Sequence, residues 1–196
     1  SDGIVDDYVI VLLGALRKSM TKILVVSNGM FTKNSKDKLR KVSDEILTRE
    51  NKGFDGWAYK YGLQHEGWDN ISEYDELVMF NHTIMGPVNS FDDMFEDMNQ
   101  RDLDFWGITK FHEVGFDPYG GCEYGYLPEH IQSHFICVRK TLLNSEEFRN
   151  YWDDFPEIKS YGDAVSKHEA VFTKKFSDFG YKWDVYVQTD DLKQLT

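Results

Sequence analysis

Apolar positions along the chain switch between two periods, and the switches mark its elements. Tyr8, Val9, Leu12, Leu13 and Leu16 recur at near-helical spacing and predict a helix over Asp6 to Leu16. The continuous apolar run inside Lys22 to Ser27 predicts a strand. After Asn28-Gly29, the stripe Leu39, Val42, Ile46 and Leu47 predicts a helix over Ser35 to Thr48. Arg49 to Gly56 reads as a turn, and Trp57 to Gln64 as a helix. Glu76 to Phe80 is a short buried strand. Ser90 is an N-cap for a helix whose stripe is Phe91, Met94, Phe95 and Met98.

Asp104 to Thr109 reads as a strand, Phe111 to Glu129 as a long irregular loop, and Gln132 to Arg139 as a strand. Ser145 to Phe155 and Asp163 to Phe179 are helices, the second ended by Gly180. Trp183 to Val187 is the last strand. Residues 1–188 thus form one domain, and 189–196 a polar tail. Alternation of strand and helix predicts an α/β domain with a mostly parallel central sheet. Such a sheet has a strand ahead of the first helix, so the chain is expected to lack its first strand.

In these sheets ligands bind beyond the carboxyl ends of the strands. Asn28, Asn81 and Thr109 therefore mark the expected cleft. Gly53 and Gly56 allow close backbone approach, Arg49 offers a planar fork for a diphosphate, and Asp55 an acceptor for ribose or base. Asn81 and His82 follow an apolar strand directly. Asn-His suits Mg²⁺ poorly, since that ion prefers carboxylate oxygen and water, so a divalent cofactor (Mg²⁺ or Mn²⁺) is left open. The literal Asp102-Leu103-Asp104 precedes its strand, at the wrong edge for a ligand.

If Gln132 to Arg139 extends back to His130, then His130, Gln132 and His134 share one face, a cleft wall beside Ser133. Zinc on His130 and His134, with Glu169, is the weaker hydrolase reading of the same residues. Glu169 is a candidate general base for an acceptor hydroxyl.

Composition narrows the partners. The net charge is −12, and no basic face stands out to displace counterions from duplex nucleic acid. The basic stretch Lys33 to Lys41 is a solvated helix face. No apolar run has membrane-spanning length. Cys122 and Cys137 form neither a metal spacing nor a disulfide framework, which reads as cytoplasmic, working at most from the inner face of a membrane.

Taken in order, these segments resemble the rhamnan synthesis protein F family of bacterial glycosyltransferases. The resemblance runs through Asp2 to Tyr8, Val25 to Asn28, Arg49 to Asp55, Tyr74 to Asn81, Gly86-Pro87, Asp104 to Thr109 and His130 to Ser133. It implies a GT-A-like fold and transfer of a sugar, typically rhamnose from dTDP-rhamnose, to an oligosaccharide or lipid-linked glycan of a growing cell-surface polysaccharide. It also implies donor contacts at Asn28, Arg49, Asn51, Gly53, Asp55, Lys60, Asn81 and His82. Thr109, His130, Gln132 and Ser133 would line the sugar and acceptor pocket. His168-Glu169 to Gly180-Tyr181-Lys182 is similar to the closing segment of inverting GT-A enzymes and places Glu169 at the base. The family carries Asn-Asp-Ser where this chain has Asn81-His82-Thr83, which favours altered metal or donor use, or a non-catalytic sugar- or nucleotide-binding module. The chain is then one part of a larger glycosyltransferase.

Overall fold

The computed structural model describes residues 3–188; the polar tail and Asp2 lie outside them. The elements are α1 (Asp7–Leu16), β1 (Leu24–Ser27), α2 (Lys33–Leu39), β2 (Glu45–Thr48), α3 (Phe54–Glu66), α4 (Trp68–Ile71), β3 (Glu76–Phe80) and α5 (Phe91–Asn99). Then come β4 (Phe105–Gly107), β5 (Lys110–Phe111), β6 (His130–Ile131), β7 (Phe135–Arg139), α6 (Lys140–Leu143) and α7 (Glu146–Asp153). The last are α8 (Tyr161–Ala164), a π-helical turn (Val165–Glu169), α9 (Ala170–Asp178) and β8 (Trp183–Val185).

The main sheet has the order β3-β7-β4-β8, and its strands send alternate residues to opposite faces. In β7, Ile136 and Val138 join one core with Phe148, Trp152, Phe172 and Phe176 of α7 and α9. Phe135 and Cys137 join another with Leu12 and Leu16 of α1 and Met94, Phe95 and Met98 of α5. Helices therefore cover both faces. Two-sided burial is why these strands read as unbroken apolar runs instead of alternating ones.

Three expectations are corrected. The sheet is mixed, since β7 runs antiparallel to both β3 and β4, and only β4–β8 is parallel within it. The α/β layering stands. Second, the expected helix from Ser35 to Thr48 stops at Leu39, and Glu45–Thr48 is a strand lying parallel to β1. The Asp44 carboxylate accepts the Ile23 N–H at 2.7 Å and starts that pairing. Ile46 and Leu47 then pair with Val25 and Val26, a tertiary contact that overrides the local helical stripe. Third, Gln132 to Arg139 is not one strand, because residues 132–134 form a turn between β6 and β7.

No helix among the described residues is long and apolar enough to cross a membrane.

Candidate functional site

The carboxyl ends of β1, β2 and β3 meet the start of α3. Asn28 follows β1 and Arg49 follows β2. The Arg49 guanidinium donates to Asn28 Oδ1 and to the Lys52 carbonyl, which fixes the turn. Asn28 Nδ2 donates to the Phe54 carbonyl at 3.3 Å. Gly53 has φ +74° and Phe54 φ +55°, so two successive left-handed residues reverse the chain into α3. Glycine takes this conformation freely, and phenylalanine does so at a cost. The next residue, Asp55, points towards β3: Asn81 Nδ2 donates to Asp55 Oδ2 at 2.7 Å. Asn81 Oδ1 accepts the Thr83 N–H at 3.0 Å and so shapes the loop that follows.

From Asn81 the network passes to the 132–134 turn. The Asn81 N–H donates to the His134 carbonyl at 3.1 Å, and Ser133 N–H donates to Glu169 Oε1 at 2.8 Å. Tyr59 donates its hydroxyl to the Ser133 carbonyl at 3.2 Å. Burial raises the Tyr59 phenol well above its ordinary pKa, and the Asp55 and Glu169 charges push the same way. Tyr59 therefore stays a neutral donor between two carboxylates. Thr109 Oγ1 donates to Gln132 Oε1 at 2.7 Å and lies 3.4 Å from His134 Nε2. Burial lowers the His134 pKa, against the opposing pull of Glu169.

Glu169 closes a π-helical turn, Val165–Glu169, set between α8 and α9. It is therefore not at a simple helix start. A π-turn shifts the side chains that follow it around the axis, and such turns are frequent at functional sites. Its neighbour His168 is buried, with Nδ1 2.8 Å from the Tyr151 hydroxyl and Nε2 without a partner among the described residues.

Other expected site residues lie apart. The side chains of Asn51 and His82 are exposed; His82 joins the fold through its carbonyl, which accepts the Tyr8 hydroxyl at 2.8 Å. Lys60 is buried on the other flank of α3, where its ammonium donates to the Asp153 carbonyl at 2.8 Å and lies over the Trp57 ring. His130, Gln132 and His134 do not share a strand face, because the turn breaks the alternation. Gln132 and His134 nonetheless meet at Thr109. His130 packs against Phe111 and bonds the Pro128 carbonyl through Nδ1 at 2.7 Å. Burial lowers its pKa. Asp104 accepts the Lys182 N–H at 2.8 Å and Asp102 pairs with the Lys182 ammonium, so both are structural.

Tyr59 was missed by sequence reasoning. Its signal was its spacing from Asp55, one helical turn on along α3 and so on the same face.

No three His, Cys, Asp or Glu side chains among the described residues converge as a cation cage. The donor set of Asp55, Asn81 and His82 does not fit a dedicated metal site, since Asp55 is bonded to Asn81 and His82 faces solvent. Nor do His130, His134 and Glu169 converge as a cage among the described residues, so the geometry does not support the zinc reading.

A family profile described as rhamnan synthesis protein F matches residues 23–196. An uncharacterized protein of Sinorhizobium fredii is 22% identical over 172 residues, covering 87% of this chain. The chain spans 42% of that relative's length. Among solved structures, the mannosyltransferase Ktr4p of S. cerevisiae, in complex with GDP, is similar at 14% identity and a TM-score of 0.40. That match covers 83% of this chain and 59% of the other. Core-mannan synthase A of Aspergillus fumigatus, in an Mn/GDP form, is similar at 10% identity and a TM-score of 0.37, covering 87% and 67%.

Proposed function

The chain belongs to the rhamnan synthesis protein F family, and from that premise we propose that it is a glycosyltransferase domain transferring a sugar from a nucleotide-sugar to a saccharide acceptor. The observation that carries this reading is the continuous network from Asn28 through Asp55 and Asn81 to Ser133 and Glu169, at the ends of three strands. It joins the polar residues after β1, β2 and β3 to one carboxylate, Glu169.

In this reading Arg49 and Asn28 face the donor diphosphate. Gly53 lets the backbone approach it, and Asp55 with Asn81 holds the nucleoside side. The sugar lies towards Thr109, Gln132 and Ser133. Glu169 accepts the proton of the acceptor hydroxyl as its oxygen attacks the anomeric carbon. The bond from that carbon to the diphosphate oxygen breaks, the electron pair leaves with the nucleoside diphosphate, and the configuration inverts. The Ser133 N–H steadies the carboxylate so that its second oxygen can take the proton. By family, the donor is dTDP-rhamnose and the acceptor a growing cell-surface glycan, with the chain one part of a larger enzyme at the inner face of a membrane.

The test is calorimetric titration of the chain with dTDP-rhamnose, UDP-sugars and GDP-sugars, followed by donor-turnover assays. Glu169→Gln is expected to lower turnover about 10²- to 10⁴-fold with donor affinity unchanged. Failure of the wild-type chain to bind any nucleotide-sugar would sink the proposal. The exposed His82, standing where the family has aspartate, favours a second reading as a binding module. Binding without turnover, not restored by His82→Asp, is its signature.

A further inference from the structure

The loop after β5 carries aromatic rings outwards. Phe116 is 63% exposed, Tyr119 44% and Tyr161, at the start of α8, 67%. Tyr119 and Tyr161 meet edge to face with ring centroids 6.2 Å apart. Neither hydroxyl has a hydrogen-bond partner among the described residues. Exposed aromatic surface on this scale marks a binding face when it is held rigidly.

Rigidity is built in. The Asp117 carboxylate accepts the backbone N–H groups of Tyr119 at 2.9 Å and Cys122 at 2.7 Å. Burial works to raise its pKa, but N–H groups of Cys122, Tyr119, Gly120 and Gly121 outweigh that and lower it. Gly121 lies so close to the π-helical turn that a Cβ there would stand 2.6 Å from Ser166 Oγ. At Gly162 a Cβ would meet the Tyr119 ring at 3.0 Å. The loop is thus seated against the same helical run that carries Glu169.

Charge selects the occupant. The nearby ionic groups are paired within the chain, Lys159 with Glu157 at 2.9 Å and Lys167 with Asp163 at 2.6 Å. Lys159 and Glu157 are exposed but neutralise each other, so the surface offered by the Tyr119 and Tyr161 rings and their phenolic hydroxyls carries no unpaired charge of its own. A neutral saccharide matches this, since its C–H faces pack on rings while its hydroxyls bond phenols. Tyr161 stands eight residues before Glu169 on one helical run, about 12 Å along the axis. A chain of sugars whose end lies at Glu169 would therefore reach the rings with units behind that end.

We propose that Tyr119 and Tyr161 form a platform that binds the body of a neutral oligosaccharide acceptor while its terminal sugar lies at Glu169. The placement of the terminus rests on the glycosyltransferase reading; the platform itself does not.

The experiment measures retention of the chain on an immobilised panel of neutral rhamno-, manno-, gluco- and galacto-oligosaccharides of three to six units, beside the matching monosaccharides. Wild type is expected to prefer the longer members of at least one series. Tyr119→Ala with Tyr161→Ala is expected to weaken that binding about tenfold or more, and Tyr161→Phe to keep most of it. Nucleotide-sugar titration of the same samples should be unchanged, and Tyr161→Ala alone, at a ring 67% exposed, should weaken glycan binding with thermal unfolding unchanged, which separates loss of the platform from loosening of the loop. Retention of no panel member by wild type overturns the proposal, and so does equal retention of wild type and double variant. Nucleotide binding without glycan binding sinks the platform alone. Glycan binding without nucleotide binding sinks the glycosyltransferase reading and leaves the platform standing as a lectin-like surface.

Discussion

Glu169 and His168 are adjacent in the chain and sit in opposite surroundings. Glu169 faces the polar turn at Ser133, while His168 is enclosed by Tyr151, Trp152, Phe155 and Phe172. Burial lowers the His168 pKa to about 3, against the ordinary 6.5. Over that window the unfolded chain binds a proton that the folded chain refuses, so stability falls as pH falls through it. Between pH 7 and pH 5 the loss from this one group is about 2 kcal/mol. His130 and His134, also lowered by burial, act with the same sign. Urea unfolding midpoints at the two pH values measure the loss, and the His168 imidazole resonances should keep their neutral shifts at pH 5. A protonated shift there would remove this histidine as the source. At Asn81 one amide serves both Asp55 and Thr83. Asn81→Ala is expected to cost about 1–2 kcal/mol of stability and to weaken nucleotide-sugar binding, because the Asp55 carboxylate loses its donor. Unchanged donor affinity in the folded variant would detach the pair from the cleft. Asp55 and Asn81 could be named as candidates from the sequence by position at a turn and a strand end, and Glu169 from the resemblance of the His168 to Lys182 segment, since it lies inside a helical run. Their mutual contacts could not, since they come from segments far apart in the chain.

Elements show where local pattern suffices and where it fails. The Ser90 cap was readable, its hydroxyl accepting the Asp92 N–H, and the helix read from Ser145 opens where the Ser145 hydroxyl accepts the Phe148 N–H. The helix stop at Gly180 was readable too, with φ +95°. Strand β2 was not, because four residues with a helical stripe before them carry too little local signal to overrule it. Nor was the 132–134 turn, which looks in sequence like continued alternation. Strand β4 is held between β7 and β8, and a Cβ at Gly107 would stand 2.1 Å from the Ile131 side chain and 2.9 Å from the Phe135 carbonyl. Gly107→Ala is expected to destabilise by about 1–3 kcal/mol or more, since backbone cannot move aside as a side chain does. A lower thermal midpoint with the cleft still binding nucleotide would mark the site as separable from this packing.

For the whole molecule, the net charge of −12 is a statement about partners. At about 150 mM salt the chain is expected to show no measurable affinity for duplex DNA in a fluorescence-polarisation titration, because binding would need counterions displaced by a basic face. Micromolar binding would overturn that exclusion. The sequence by itself determined the α/β layering and most element positions, which follow from local periodicity and capping that each segment expresses alone; the family rests on the ordered set of segments and the profile match over residues 23–196. Tertiary structure decided the antiparallel course of β7, the pairing of β2 with β1, and the π-helical turn at Glu169. It also decided that Asp55, Asn81, Tyr59 and Ser133 meet while Lys60 and His130 turn away. Those outcomes depend on which distant segments share a sheet or a core, and no local pattern encodes that choice.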